Sequence, residues 1–329
     1  MHKILMIFRS IVMILLAGPI MLSFVGCEKA DPLEENKNMV RGAVEEIINQ
    51  GKLDAVDDYF AKEYIRHPDP NFKGAGDIKK TVKAVRASFP DYHFAIEDMI
   101  AEGDKVVTRY TSKGIHKAEF MGVPPSGKEV TATGIIISRI ANGKIVEEWQ
   151  FKDTLAVLQQ LGVISIMPEA PLAVMKRTKP EEFIWSVPSK VTGDPGDPET
   201  NKALVRREEE EVWNQRKLES FDTFFSTKFI NHDPGFPDIR DYQGYKEFWT
   251  TVGQITEDYH LTVEDMVAEG DRVAVRWSSR LIALPAKQPV NNRGILIYRL
   301  ADKKIVEAWF CTDMLAFMQQ MGILPAPAE

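Results

Sequence analysis

Residues 144–162 read KIVEEWQFKDTLAVLQQLG, and residues 304–322 read KIVEAWFCTDMLAFMQQMG. Upstream, EDMIAEGD at 97–104 returns as EDMVAEGD at 264–271. The matches keep their order, with an offset of 165 residues at His67 and His232 that becomes 167 and then 160. A period of this length far exceeds a solenoid unit, so each copy is expected to be a whole domain. Residues 36–162 and 200–323 are each long enough for an independent core. Between them, 163–199 carries Pro168, Pro171, Pro180, Pro188, Pro195 and Pro198, which predicts an extended linker. Phe183, Ile184 and Trp185 are expected to dock part of that linker on a domain surface.

Within the first copy, Met39, Val40, Ala43, Val44, Ile47 and Ile48 recur at helical spacing, and Gly51 stops the run. A short helix with Leu53, Val56, Tyr59 and Phe60 inward follows. The spacing then predicts a short strand over 63–67 and a helix over 77–89. From there the period changes to two: 92–101, 105–116, 130–141 and 144–153 alternate or carry β-branched residues. Gly103-Asp104 and Asn142-Gly143 stand where hairpin turns are required. A last helix starts at Asp153 and ends near Gly162. Helices followed by a long antiparallel meander specify an α+β class: two tandem cone-shaped α+β barrels, each with N-terminal helices packed on a curved sheet. Such a sheet encloses a pocket against its helices.

The N-terminus reads as a targeting segment. Lys3 and Arg9 precede the apolar run 11–25, which ends at Gly26-Cys27. Ser23-Phe24-Val25-Gly26-Cys27 resembles a bacterial lipobox, with Phe24 where Leu is usual. Residues 1–27 are therefore expected to be a lipoprotein signal, with Cys27 lipidated and the soluble part held on a membrane outside the cytoplasm. An uncleaved anchor helix is the other reading. Cys311 is the only other cysteine, so no disulfide framework is expected. A net charge of −7 without a basic block beyond the signal argues against nucleic acid.

Residues 114–161 carry Gly-Ile-His-Lys-Ala-Glu-Phe-Met-Gly-Val-Pro-Pro-Ser-Gly-Lys, then Thr-Gly-Ile, Gly-Lys-Ile-Val-Glu-Glu-Trp, Asp-Thr-Leu and Gln-Gln-Leu. This pattern resembles the SnoaL-like ester and polyketide cyclases of the nuclear transport factor two-like fold. The first copy follows it almost throughout; the second replaces the His-Lys-Ala-Glu-Phe-Met segment with a shorter one at 278–293. The resemblance implies cofactor-free ring closure of a polyketide ester by intramolecular aldol chemistry, with an acidic residue moving protons. It places that acid at Asp153, and at Asp313 in the second copy. It also implies a homodimer, whose place here the two copies are expected to take as an intrachain pseudo-dimer.

Alternation sets Glu147, Trp149, Phe151 and Asp153 on one face, which is expected to be the pocket face. A carboxyl beside Trp149 and Phe151 would be desolvated and suited to general acid work. Asp153 equally suits the N-cap of the following helix, which would lower its pKa instead. In the second copy the face reads Trp309, Cys311, Asp313. His116 follows Tyr110, Ser112 and Gly114 at period two and is expected to reach the pocket beside Phe120. His67 and His232 end equivalent strands, as Tyr-Ile-Arg-His and Phe-Ile-Asn-His, and are also read as pocket residues, with His67 and His116 taken as catalytic: base, orienter or hydrogen-bond donor to a carbonyl. His93 and His260 are read as structural. No His, Cys and carboxylate spacing matches a metal site. Glu208–Glu211 reads as a solvated helical face, although Glu209 aligns with apolar Val44 and could point into the second pocket.

Two functions compete. One is a cyclase or isomerase acting on a small apolar carbonyl compound in the first domain. The other is a non-catalytic lipoprotein that captures an apolar ligand with the same fold. Retention of ligand after Asp153→Asn would favour the second.

Overall fold

The computed structural model describes residues 31–69, 71–164, 185, 192–234 and 239–325. The signal segment with Cys27, and most of the linker, lie outside the described residues. Each copy folds as the same α+β unit. In the first, α1 (Pro32–Ala43) runs directly into a π-helical turn, Val44–Asn49. Then come α2 (Val56–Tyr59), β1 (Phe60–His67) and α3 (Ala75–Ser88). The meander follows as β2 (His93–Glu102), β3 (Lys105–Ile115), β4 (Glu129–Ala141) and β5 (Lys144–Lys152), and α4 (Thr154–Leu161) closes the unit. The sheet order is β1-β5-β4-β3-β2, with β1 parallel to β5 and the remaining pairs antiparallel. Asn142 and Gly143 both take positive φ, 52° and 67°, as a two-residue hairpin turn between twisted strands demands.

The second copy repeats this order. Helix α5 (Pro198–Glu208) again widens into a π turn, Glu209–Asn214, before α6 (Phe221–Phe224), β6 (Phe225–His232) and α7 (Tyr242–Ile255). Strands β7 (Thr256–Glu269), β8 (Arg272–Ala283), β9 (Gln288–Ala301) and β10 (Lys304–Thr312) precede α8 (Met314–Gln320). Its sheet order, β6-β10-β9-β8-β7, matches the first.

Both faces of each sheet are covered. The inner face packs on the unit's own helices through Val40, Ile47, Val56, Tyr64, Ile78 and Val82 in the first copy. The outer faces of the two sheets meet each other: Ile100, Val107 and Phe151 share one buried cluster with Val267, Ile297 and Trp309. Trp185, from the linker, is buried in the same cluster, and its carbonyl accepts from Arg109 Nη1 at 2.6 Å and Trp309 Nε1 at 3.2 Å. Polar contacts across the seam come in reciprocal pairs. Glu102 accepts from Ala268 N and Glu269 accepts from Ala101 N, each at 2.7 Å. Lys202 pairs with Glu102, and its counterpart Lys37 pairs with Glu269. Asp98–Arg272 and Lys105–Asp265, both 2.8 Å, are again exchanges of equivalent positions. Such reciprocity is the mark of an isologous contact about a pseudo-two-fold axis, here within one chain.

Candidate functional site

The face carrying Trp149, Phe151, Trp309 and Cys311 is the outer one. Phe151, Trp309 and Cys311 are buried between the two sheets, with Trp149 packed against the same cluster, so the expectation that these aromatics line a pocket is corrected. Alternation groups the residues of one face but does not say what covers it, and here both faces are apolar because a second sheet takes the outer one.

His67 and His232 stand on that outer face too, which corrects their assignment to pockets. His67 Nε2 lies 2.9 Å from Glu147 Oε1, Arg139 Nε donates to Glu147 Oε2 at 2.9 Å, and the imidazole stacks on Trp149 at 5.3 Å. The second copy repeats the set: His232 with Glu307 at 2.9 Å, Arg299 with Glu307 at 2.8 Å, and stacking on Trp309 at 5.1 Å. Burial pushes the Glu147 carboxyl up, but hydrogen bonds from His67 and Arg139 outweigh it and hold it below the ordinary 4.5. These clamps tie the parallel edge strand to the meander.

Asp153 caps α4, Oδ1 accepting from Ala156 N at 2.9 Å, and Asp313 caps α8 in the same way from Ala316 N at 3.4 Å. Its charge reaches across the seam, where, after burial itself, it helps push the Cys311 thiol up. Asp153→Ala is expected to cost about 1 kcal/mol of stability, with Asp153→Asn costing less because an amide oxygen still accepts the N–H. Urea denaturation midpoints of the two variants check this.

His116 is fully buried, under the loop 117–128 and stacked on Phe89, which Phe120 meets edge-on. Ser126 N donates to His116 Nδ1 at 3.2 Å, so the neutral ring carries its proton on Nε2, which among the described residues is buried without a hydrogen-bond partner.

The inner face of the first sheet holds Tyr110, which the sequence reading placed in the pocket, and Gly134 and Lys152, which it passed over. Tyr110, Gly134 and Lys152 lie in one row across β3, β4 and β5. The Tyr110 hydroxyl rests on Gly134, where any Cβ would collide with it, so the missing side chain is what lets the Tyr110 ring lie there. Lys152 is solvent-accessible, yet desolvation by surrounding protein, followed by the charge of Arg66, lowers its ammonium from the ordinary 10.5. Among the described residues Lys152 has no hydrogen-bond or ion-pair partner. Burial pushes the Tyr110 phenol well above 10, so it stays protonated. Nearby on the same face, Glu148 is satisfied by Tyr64 at 2.6 Å, Ser138 at 2.7 Å and Gln150 at 2.6 Å. The signal available in the sequence was parity: Glu148, Gln150 and Lys152 alternate with Trp149 and Phe151.

The second unit encloses a cavity of about 110 Å³ at the equivalent place, lined by Glu209, Trp213, Tyr245, Trp249, Trp277 and Thr312 among others. Trp277, Gly294 and Thr312 form its counterpart of the Tyr110 row. Glu208 and Glu209 are both fully buried, so half of the supposedly solvated acidic run faces inward, and Glu209 does line the second cavity. Burial raises both carboxyls, Glu209 to about 8, and Glu208 further for the charge of Glu209 beside it. Among the described residues no group of His, Cys, Asp and Glu is arranged to hold a metal ion.

The profile of the SnoaL-like polyketide cyclase family matches residues 38–161 and again 203–321. Two relatives are enzymes of Streptomyces. Nogalonic acid methyl ester cyclase of S. nogalater is 28% identical over 119 residues, 35% of this chain and 89% of that enzyme. Aklanonic acid methyl ester cyclase of S. peucetius is 26% identical over 130 residues, 38% of this chain and 89% of that enzyme. Among solved structures, a protein of Acidithiobacillus ferrooxidans described as a candidate polyketide cyclase is 30% identical. It covers 39% of this chain and 95% of its own, with a TM-score of 0.36.

Proposed function

Because the chain belongs to the SnoaL-like polyketide cyclase family, we propose that its first unit cyclises or isomerises a small apolar carbonyl compound by acid/base chemistry without a cofactor. The observation that carries the reading is the unpartnered, desolvated Lys152 in line with Tyr110 across Gly134. A lowered pKa raises the share of neutral amine at a given pH, and a neutral amine is a base. In the proposed step Lys152 Nζ takes a proton from a carbon next to a carbonyl. The Tyr110 hydroxyl donates to that carbonyl oxygen as it becomes an enolate. The enolate carbon bonds to a second carbonyl carbon of the same molecule, and the new alkoxide takes the proton back from Lys152. Atoms balance, and product and substrate are isomers. His116 Nε2–H, buried without a partner under the 117–128 loop, suits a further donor to the ligand. Asp153 holds α4 and the end of the strand that carries Lys152.

In this reading the second unit stands where a partner subunit would, and the segment 1–27 exports and anchors the protein through Cys27. The names of the two relatives suggest the class of substrate, the methyl ester of a carboxylic acid. The test incubates the protein with aklanonic acid methyl ester, and separately with a lipophilic extract of the source cells, followed by mass spectrometry. A product of unchanged mass and new retention time, absent with Lys152→Met, is the expected result. A compound held by both proteins and converted by neither overturns it in favour of the non-catalytic binding lipoprotein.

A further inference from the structure

The inner faces of the two units differ in charge. In the first, Arg66 stands near Lys152 and near a carboxylate, Glu148, that is already satisfied by three donors. The equivalent positions in the second are Asn231, Thr312 and Ala308, so cations and strand carboxylate are all gone. Carboxyls appear instead on the helical wall, Glu208 and Glu209, where the first unit has Ala43 and Val44. Both of these neighbours are buried where α5 passes into the π turn.

We propose that the second cavity binds a small primary alkylammonium ion, its N–H groups on Glu209 and its alkyl part among Trp213, Trp249, Trp277 and Tyr245. Among the described residues, both carboxyl oxygens of Glu209 and Oε1 of Glu208 behind it are buried with no hydrogen-bond partner, while Oε2 of Glu208 accepts from the Tyr298 hydroxyl at 3.4 Å. No Lys or Arg pairs with either carboxyl among the described residues. A buried carboxyl without a donor is costly, and a cationic donor entering from outside removes that cost. The walls suit the same ligand. Three indoles and three phenols line the cavity, with Trp213 and Trp249 tilted together at 4.2 Å and Tyr245 edge-on to Trp213 at 6.1 Å. Aromatic faces around a cation are the recognised setting for ammonium binding. The volume, about 110 Å³, limits the ligand to something no larger than benzene, which fills a cavity of about 150 Å³. A neutral carbonyl ligand is the competing occupant, since a protonated Glu209 could donate to it; Gln at 209 would still donate, so the two occupants respond oppositely to that substitution.

The test titrates the full chain at pH 7.5 with isobutylamine, isobutanol and 3-methylbutan-2-one, following tryptophan emission and heat. Saturable binding of isobutylamine, at least tenfold tighter than either neutral probe, is expected. Glu209→Gln should weaken the amine at least tenfold and leave isobutanol unchanged, with an unaltered near-ultraviolet circular dichroism spectrum confirming the fold. Thr312→Lys, which restores the first unit's cation opposite the glutamates, should also expel the amine. The proposal is overturned if isobutylamine shows no saturation, if a neutral probe binds as tightly, or if both variants bind the amine like the wild type.

Discussion

Replacing Lys152 with Met is expected to lower kcat/KM by about 10²–10⁴-fold, the range that positioned proton transfer supplies, and to raise Tm. Loss of activity with a gain in stability is the signature of a group kept for function against the interests of the fold. The sign follows from linkage. Lys152 has a folded-state pKa below the 10.5 of the unfolded chain, because burial disfavours its charged form. At pH values below both pKa values the ammonium is charged in either state, and the folded state carries the whole desolvation penalty. The penalty fades as pH rises from the folded pKa toward 10.5. Met removes it, so the variant gains most at neutral and acid pH and nothing at strongly alkaline pH. Activity of the wild type should rise with pH along the same titration, since the neutral amine is the base. Lys152→Arg should not rescue turnover, because a guanidinium does not give up its proton in this range. Steady-state rates and thermal melts of the three proteins check this. Full activity in Lys152→Met beside loss in Asp153→Asn would move the proton transfer to Asp153.

Glu209→Gln is expected to stabilise the protein on the order of 3 kcal/mol at pH 7, taking about 1.4 kcal/mol per pH unit of displacement. Burial raises the Glu209 carboxyl from its ordinary 4.5 to about 8. Folding at pH 7 therefore requires protonating a group that is ionised in the unfolded chain. Below the unfolded value both states hold the proton and Glu209 costs nothing; between 4.5 and about 8 the stability it permits is lost as pH rises. Gln is neutral throughout and similar in shape, so the gain should vanish near pH 4 and grow toward pH 8. In Tm the difference at pH 7 is roughly 5–10 °C for a chain of this size. Melts of the two proteins from pH 4 to 8 give the comparison. Equal Tm values across that range would mean that Glu209 is ionised and paired in the folded protein.

Much of the fold was legible because its signals are local. Asn142-Gly143 could hardly be anything but a tight hairpin turn, and the backbone takes positive φ at both residues. Asp153 before an apolar helical run suits an N-cap, and it caps. The repeat itself needed only the recurrence of KIVE-x-W and Gln-Gln-x-Gly. The site was less legible. His67 and Glu147 are 80 positions apart, and their pairing depends on β1 lying parallel to β5. Lys152 looked like an outward residue because its neighbours Trp149 and Phe151 looked like pocket lining. Glu208 and Glu209 looked solvated because a run of four carboxylates reads as a charged face, and what covers that face comes from distant parts of the chain.

The sequence alone determined that there are two copies, that each is α+β, where the strands alternate, and which residues share a face. It did so because side-chain period, turn geometry and capping depend on residues only a few positions apart. The tertiary structure alone decided which face meets helices and which meets the other sheet, since alternation is unchanged when the two faces are exchanged. It likewise decided which carboxyls and amines are stripped of water, because desolvation is set by atoms brought near from distant parts of the chain.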